Sequence, residues 1–369
     1  MSARSAVDFC LFLLLSLLSA TTYIHKMMEA ELSFLVWCCW LSLLTVAIMT
    51  PYDKAVQVVS HRGAAGYIPE HSPQAHQTAI DLLTDYVELD VCITKDYEMV
   101  VIHDITLDQT TDVSRVYPGR NNTYIVNGKE TSGYFVIDFT LKELNELKLR
   151  QRVENRTRLY DGLLRIPTVD TLMELVVENG PGLYIELKKP SWHNQFLTSV
   201  QTTMEDMLLS KLKQFGYLEH VYTDTNQVLP IVIECFEEYS LQYLRNQTNI
   251  PLVQLIPSGK LEMSKVNLKH ISSYADIIGP DKKNFDGRLS IAQQFVYNAH
   301  ELGLKVHPYT FRAESEYVMQ EFDGDFQMEQ SYFIECLHVD GLFTEFADRT
   351  REVYDDFVDG NILHPECFS

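Results

Sequence analysis

Basic side chains are in short supply: Lys and Arg number 30 against 51 acids, a formal charge of -21. So acidic a surface excludes nucleic acid or an anionic membrane as the main electrostatic partner. A small anionic substrate would need a local cationic site, made by a metal ion or by a few Arg and Lys. Cysteine offers no metal cluster. Of the 7 cysteines, Cys10, Cys38 and Cys39 fall in an apolar leader, and Cys92, Cys235, Cys336 and Cys367 lack metal-type spacing. For Cys336 and Cys367, buried free thiols are the preferred reading and a disulfide between them the alternative. Also missing are a GxGxxG turn, a GxxxxGKS/T phosphate loop, any low-complexity tract and any clear short repeat. The absent phosphate loops weaken the case for an open, doubly wound nucleotide-binding sheet.

What the chain does have is apolar material. With 369 residues and 46% apolar composition, it suits one large domain or two small ones. Two uncharged runs open it: "FCLFLLLSLLS" at 9–19 and "SFLVWCCWLSLLTVAIMT" at 33–50. The first has the length of a signal-peptide core, and the second approaches that of a membrane span. Thr45 and Ala47 would permit cleavage. No strongly basic flank separates a cleaved signal peptide from a transmembrane signal anchor; a buried core helix is the bland reading. Residues 1–50 are therefore expected to be a leader that sends the rest into the secretory pathway, secreted or membrane-anchored, with its globular part extracytoplasmic. Three sequons, beginning at Asn121, Asn155 and Asn246, agree with that route.

From Ala55 onward, short apolar runs alternate with helical periodicity. Strands are expected at 56–61, 86–91, 99–104, 183–188, 230–236, 251–256, 275–280, 304–311 and 339–346. Helices are expected at 72–83, 168–180, 196–216 and 289–303. Ser72 is placed to cap the first, with Pro73 just inside it. Gly180, Gly216 and Gly303 stand where helix ends favour a left-handed residue. So many strand–helix alternations mean parallel β/α units, and eight or nine strands favour a closed (β/α)8 barrel. Residues 105–166 break the rhythm after the third strand and read as an insertion, a lid over the site. The expected division is a barrel over 55–355, containing that insertion, and a C-terminal tail over 356–369.

Charge recurs where these apolar runs end. His61 and Arg62 close the first, Glu88 and Asp90 lie near the end of the second, His103 follows the third, and Glu186 and Lys188 end the fourth. Glu88 and Asp90 are two apart, so they share one face while Val87, Leu89 and Val91 share the other. A parallel barrel delivers its strand ends to one rim, where active sites are built. Three carboxylates on one rim repel unless a cation sits among them. A hard divalent ion, Ca2+ or Mg2+, suits oxygen ligands. Two histidines can supply a base and an acid near neutral pH, and Arg62 and Lys188 add fixed positive charge. The combination fits phosphodiester hydrolysis. Taken singly, each residue has a structural reading, a hydrogen-bonded core histidine or a rim ion pair. The joint pattern over four strands is what favours a site.

The stretch "SHRGAAGYIPEHSPQAHQTAI…YVELDVCITKDYEMVVIHD" resembles the signature of glycerophosphodiester phosphodiesterases, most closely their bacterial periplasmic branch. The likeness continues through "RIPTVDTLMEL", "YIELKKPSWH", "YADIIGPDKK", "KVHPYTFRAE" and "DGLFTEFAD", covering about residues 55–350. It implies a (β/α)8 barrel with an insertion after an early strand. It also implies metal-dependent hydrolysis of glycerophosphodiesters to sn-glycerol 3-phosphate and an alcohol, with one divalent cation, Ca2+ first and Mg2+ second. Carried over by motif, His61 and His103 take the acid–base roles, and Glu88, Asp90 and Glu186 the metal. Arg62 takes the phosphate, with Lys188 beside the metal site. Glu70 supports the site or holds glycerol, and Phe236 and Tyr309 line the substrate cleft. The sequence departs from the family at Glu234 to Phe236, "ECF", where Gln-Ser/Thr-Phe is usual, and in its apolar leader. The expected partner is a small glycerophosphodiester, with no nucleic acid, with membrane attachment through the leader and with the oligomeric state left open. Two other functions are compatible: a lysophospholipase D-type enzyme acting on membrane lipids, and a non-catalytic barrel serving as a binding or surface protein.

Overall fold

The structure is a computed structural model that describes residues 56–217, 230–261, 264–364 and 367. The apolar leader expected over 1–50 lies outside the described residues. Among the described residues no helix is long and apolar enough to cross a membrane.

Residues Val56–Ser369 form one compact unit. Its strands in chain order are β1 Gln57–Ser60, β2 Tyr86–Ile93, β3 Met99–Val101, β4 Asn122–Val126, β5 Lys129–Gly133, β6 Gly182–Leu187, β7 Ile231–Cys235, β8 Leu252–Ile256, β9 Ile277–Pro280, β10 Lys305–Val306 and β11 Gly341–Thr344. Eight of them run in the parallel order β10-β9-β8-β7-β6-β2-β1-β11. The ends of that order meet. Asp340 N–H donates to the Val306 carbonyl at 2.9 Å, Phe343 N–H to Pro308 at 3.1 Å and Phe311 N–H to Phe343 at 2.8 Å. The result is the expected (β/α)8 barrel.

Alternation along the staves builds two cores. Val87, Leu89 and Val91 of β2, and Leu183, Ile185 and Leu187 of β6, face the helices. Tyr184, Val232, Val253 and Phe343 fill the interior. Each fully buried aliphatic side chain of this kind contributes roughly 1.5–3 kcal/mol. The helices begin as their sequence dictates. Ser72 accepts from Ala75 N–H at 3.1 Å ahead of helix Pro73–Asp81. Gly180 closes helix Val169–Asn179 with φ 88°.

Three expectations need correction. The long helix read over 196–216 is broken: Pro190–Leu197 ends, Gln201 turns left-handed at φ 53°, and a new helix Met204–Gln214 starts with Thr203 as its cap. The third strand, β3, is not a stave. It pairs antiparallel with β2, Ile93 opposite Met99 and Val91 opposite Val101. Cys336 and Cys367, read preferentially as free thiols, form a disulfide. Residues separated by 31 positions are tied by it, which in the chain-entropy view stabilises the fold by roughly 3–4 kcal/mol.

Leu107, Val113, Val136, Phe139 and Ile166 of the insertion form a second small core with Cys92 of β2 and Val100 of β3. The insertion also carries a hairpin, β4 paired with β5, turned by Asn127 and Gly128 at φ 51° and 76°.

Candidate active site

The site is built where staves end. After β1 the chain makes a tight left-handed turn, with Arg62 at φ 61° and Gly63 at φ 77°. A Cβ on Gly63 would lie 2.7 Å from the Ala75 backbone, so only glycine fits. This turn brings His61 and Arg62 into a cleft at the C-terminal mouth, lined also by Glu88, His103, Glu186, Lys188, Glu234, Phe236, Tyr309 and Arg312.

His103 arrives by an unexpected route. β2 overshoots the mouth, and β3 returns antiparallel, so Ile102 N–H donates to the Asp90 carbonyl at 2.8 Å. The return sets His103 down level with the rim that a parallel third stave was expected to supply.

Register explains the acids. Asp90 is paired with Glu186, and Glu186 with Glu234, across β2, β6 and β7. Glu88 lies one pleat deeper on the same face of β2. Ligand-capable atoms of Glu88, Glu186 and Glu234 all lie within 4.8 Å of one another, as do those of His71, Glu88 and Asp90. All four carboxylates are buried. Burial, with Asp90 and Glu234 nearby, pushes the Glu88 carboxyl well up. Burial, with Glu186 and Asp90, does the same to Glu234. Glu186 is pushed up to about 8, by burial and the Asp90 charge against the pull of Lys188. Buried carboxylates this close together could hold a cation, and an all-oxygen donor set fits a hard divalent one.

Asp90 behaves differently. Burial alone would raise its pKa, but Lys188, His103 and His71 outweigh that and hold it well below the carboxylate range. Lys188 Nζ lies 2.9 Å from it, Arg62 Nε 3.3 Å and His71 Nε2 2.7 Å. It does not line the cleft.

Each histidine in the cleft is held by a carboxylate. His61 Nδ1 is 3.0 Å from Glu345 Oε1, and His103 Nδ1 is 2.7 Å from Asp104 Oδ1. The other nitrogen of each ring, Nε2, is thereby left for chemistry. The expected titration near neutrality is corrected by the surroundings. Burial and Arg62 lower His61 to about 3, and burial with Arg62 and Lys188 lowers His103 to about 4. Both rings are neutral at pH 7 until a negative charge enters the cleft.

Glu70 was expected to support the site or hold glycerol. It is not among the cleft-lining residues. It sits behind Arg62, accepting from Arg62 Nη1 at 3.2 Å and from Arg152 Nε and Nη2, both at 2.8 Å. These contacts place Glu70 where it can orient Arg62. Phe236 and Tyr309 do line the cleft, their rings edge-to-face at 6.2 Å. Lys188 Nζ bridges Asp90 and Glu186, the latter at 2.6 Å.

None of residues 105–166 lines the cleft itself. The insertion contributes Arg152, bound to Asp104 and Glu70, and Arg156, bound to Glu345 at 2.6 Å. Both histidine-holding carboxylates are thus anchored by arginines of the insertion. Glu234, Asp104, Glu345, His71, Arg152 and Arg156 had no assigned role in the sequence. Glu345 directly follows β11, and Asp104 comes just after His103 in the same return from β3, so both share the strand-end pattern of the other site residues. Arg152 and Arg156 sit in irregular chain with no period to mark them.

The chain is similar to known proteins. A glycerophosphodiester phosphodiesterase of Arabidopsis thaliana is 33% identical over 80% of this chain and 84% of its own length. One from Haemophilus influenzae is 28% identical over 79% of this chain and 87% of its own. Among solved structures, a glycerophosphoryl diester phosphodiesterase from Silicibacter pomeroyi shares the fold at TM-score 0.59 and 21% identity, covering 83% of this chain and 95% of that one. A phosphodiesterase from Oleispira antarctica, in complex with the product sn-glycerol-3-phosphate, superposes at TM-score 0.55 and 20% identity, over 81% and 96% of the two chains. Residues 61–349 match the model of the glycerophosphoryl diester phosphodiesterase family, whose span takes in both histidines and all four clustered carboxylates, and the chain belongs to that family.

Proposed function

We propose that this chain hydrolyses glycerophosphodiesters to sn-glycerol 3-phosphate and an alcohol, with His61 and His103 as the acid–base pair and one divalent cation, Ca2+ before Mg2+. Its class as a phosphodiester hydrolase follows from the family. The observation that carries the finer reading is the pair of carboxylate-held histidines lining one cleft with clustered glutamates. The sn-glycerol-3-phosphate bound to the Oleispira relative supports the substrate class. The cleft holds about 200 Å³, room for a small polar diester, while an acyl chain would lie outside it.

Glu88, Glu186 and Asp90 would hold the cation, which when bound neutralises the non-bridging phosphate oxygens. Arg62, aimed by Glu70, adds a fixed positive charge to the phosphate. The bound diester anion favours the imidazolium form of a neighbouring ring, reversing the depression seen in the free protein. One ring then takes a proton from the attacking hydroxyl, either that of water, or that of glycerol itself, which would leave a cyclic phosphate for water to open in a second step. The other gives a proton to the leaving alcohol. Phe236 and Tyr309 form the wall for the leaving group. Incubation with glycerophosphocholine should release glycerol 3-phosphate and choline. Lysophosphatidylcholine should be turned over far more slowly; a reversed preference would replace this reading with the lysophospholipase one.

We also propose an extracytoplasmic, secretory location, secreted or membrane-anchored. The apolar runs at 9–19 and 33–50 and the Cys336–Cys367 disulfide support it, since such bonds persist in oxidising compartments. Asn121, Asn155 and Asn246 are all exposed, as glycan acceptors must be. Protein made in a secretory host should shift to higher mobility on gels after glycosidase treatment. No shift in the native chain and in the triple Asn→Gln variant alike would count against that route.

A further inference from the structure

We propose that Glu234 is a further ligand to the divalent cation, so that the site gathers four carboxylates from three adjacent staves. The inference rests on the metal-dependent reading above and extends its ligand set to a residue that reading does not use.

Three observations carry it. Glu234 is level with Glu186 in the β6–β7 register and within 4.8 Å of both Glu88 and Glu186 through ligand-capable atoms. It lines the cleft yet is only 2% exposed. Its Oε2 has no hydrogen-bond partner. The other three acids are already engaged: Glu88 Oε2 accepts from Arg62 N–H at 2.6 Å, Glu186 Oε2 from Lys188 at 2.6 Å, and Asp90 is held by Lys188, Arg62 and His71. A buried carboxylate oxygen without a donor is costly. A cation among Glu88, Glu186 and Glu234 removes that cost.

Arg62 and Lys188 are the fixed cations against these four carboxylates, and Arg62 is shared with Glu70, so the cluster keeps an excess of acid that a divalent ion would offset. A crowd of carboxylates on fixed strands suits Ca2+, which accepts six to eight oxygens and irregular geometry. Mg2+ asks for near-octahedral order and retained water. Glu234 therefore tunes the site toward the larger ion.

The test is calorimetric titration of the full chain with Ca2+ and with Mg2+, comparing the native protein with Glu234→Gln, Glu88→Gln and Glu186→Gln. The amide is isosteric, and melting in EDTA monitors folding. Glu234→Gln should weaken Ca2+ about 10–100-fold, weaken Mg2+ less, raise the melting temperature in EDTA and shrink the rise that Ca2+ produces. If Glu88→Gln and Glu186→Gln lose Ca2+ affinity while Glu234→Gln binds and melts with Ca2+ as the native protein does, this inference is wrong and the metal reading stands. If none of the three changes Ca2+ binding, both are wrong.

Discussion

His61→Ala and His103→Ala should each lower turnover of glycerophosphocholine by about 10²–10⁴-fold, with KM changed far less than kcat. Each ring presents one free nitrogen to the cleft because the other is taken by Glu345 or Asp104. Removing the ring removes a proton donor or acceptor used in the transition state, and leaves Arg62 and the cation to bind the phosphate. Unfolding does not mimic the effect at His61. Glu345 keeps Arg312 at 2.8 Å and Arg156 at 2.6 Å when the imidazole is gone, so it is not orphaned. Asp104 likewise keeps Arg152 at 2.8 Å. Both variants should melt within a few degrees of the native protein. Near-normal turnover in either would remove that histidine from the acid–base pair. Glu345→Gln and Asp104→Asn, which loosen each ring without deleting it, should fall between the alanine variants and the native enzyme.

The contrast between stave and insertion explains how much was legible beforehand. Period-two alternation places Glu88 and Asp90 on one face, with Val87, Leu89 and Val91 on the other, and the barrel keeps that division. Parallel register was not visible, because it depends on how far each strand slides against the next. Without it, nothing in "PIVIECF" marks Glu234 as level with Glu186. The direction of β3 was hidden for a similar reason: a three-residue apolar strand carries no sign of which way it runs. The β4–β5 hairpin does carry a local signal. Asn127-Gly128 is a strong two-residue turn signal, but it sits in a largely polar segment where only Tyr124 and Val126 of β4 pack inward. The arginines of the insertion act through long side chains that reach Glu70, Asp104 and Glu345. Such contacts are tertiary, and no local pattern announces them.

Chelation should abolish activity, and Ca2+ should restore it more fully than Mg2+. The physical reason is the cluster itself: Glu88, Glu186 and Glu234 lie too close together to ionise comfortably in a buried site without an ion. The same cause predicts a pH signature that needs no substrate. Glu186, with its carboxyl at about 8 in the folded chain against 4.5 when exposed, binds its proton more tightly folded than unfolded. Its contribution to stability is complete below about 4.5 and is lost as pH rises through about 8. His61 and His103 work in the opposite sense. Held low in the folded state, they stabilise fully above the ordinary 6.5 and lose that contribution only as pH falls. Between pH 6.5 and 8 the histidines are therefore silent and the carboxyls dominate. In EDTA the melting temperature should fall across that window; in saturating Ca2+, which favours the ionised carboxylates, the fall should flatten. Groups away from the site titrate alike under both conditions and cancel in the comparison. Parallel melting curves with and without Ca2+, or turnover that survives exhaustive chelation, would show that these acids are not gathered around a metal.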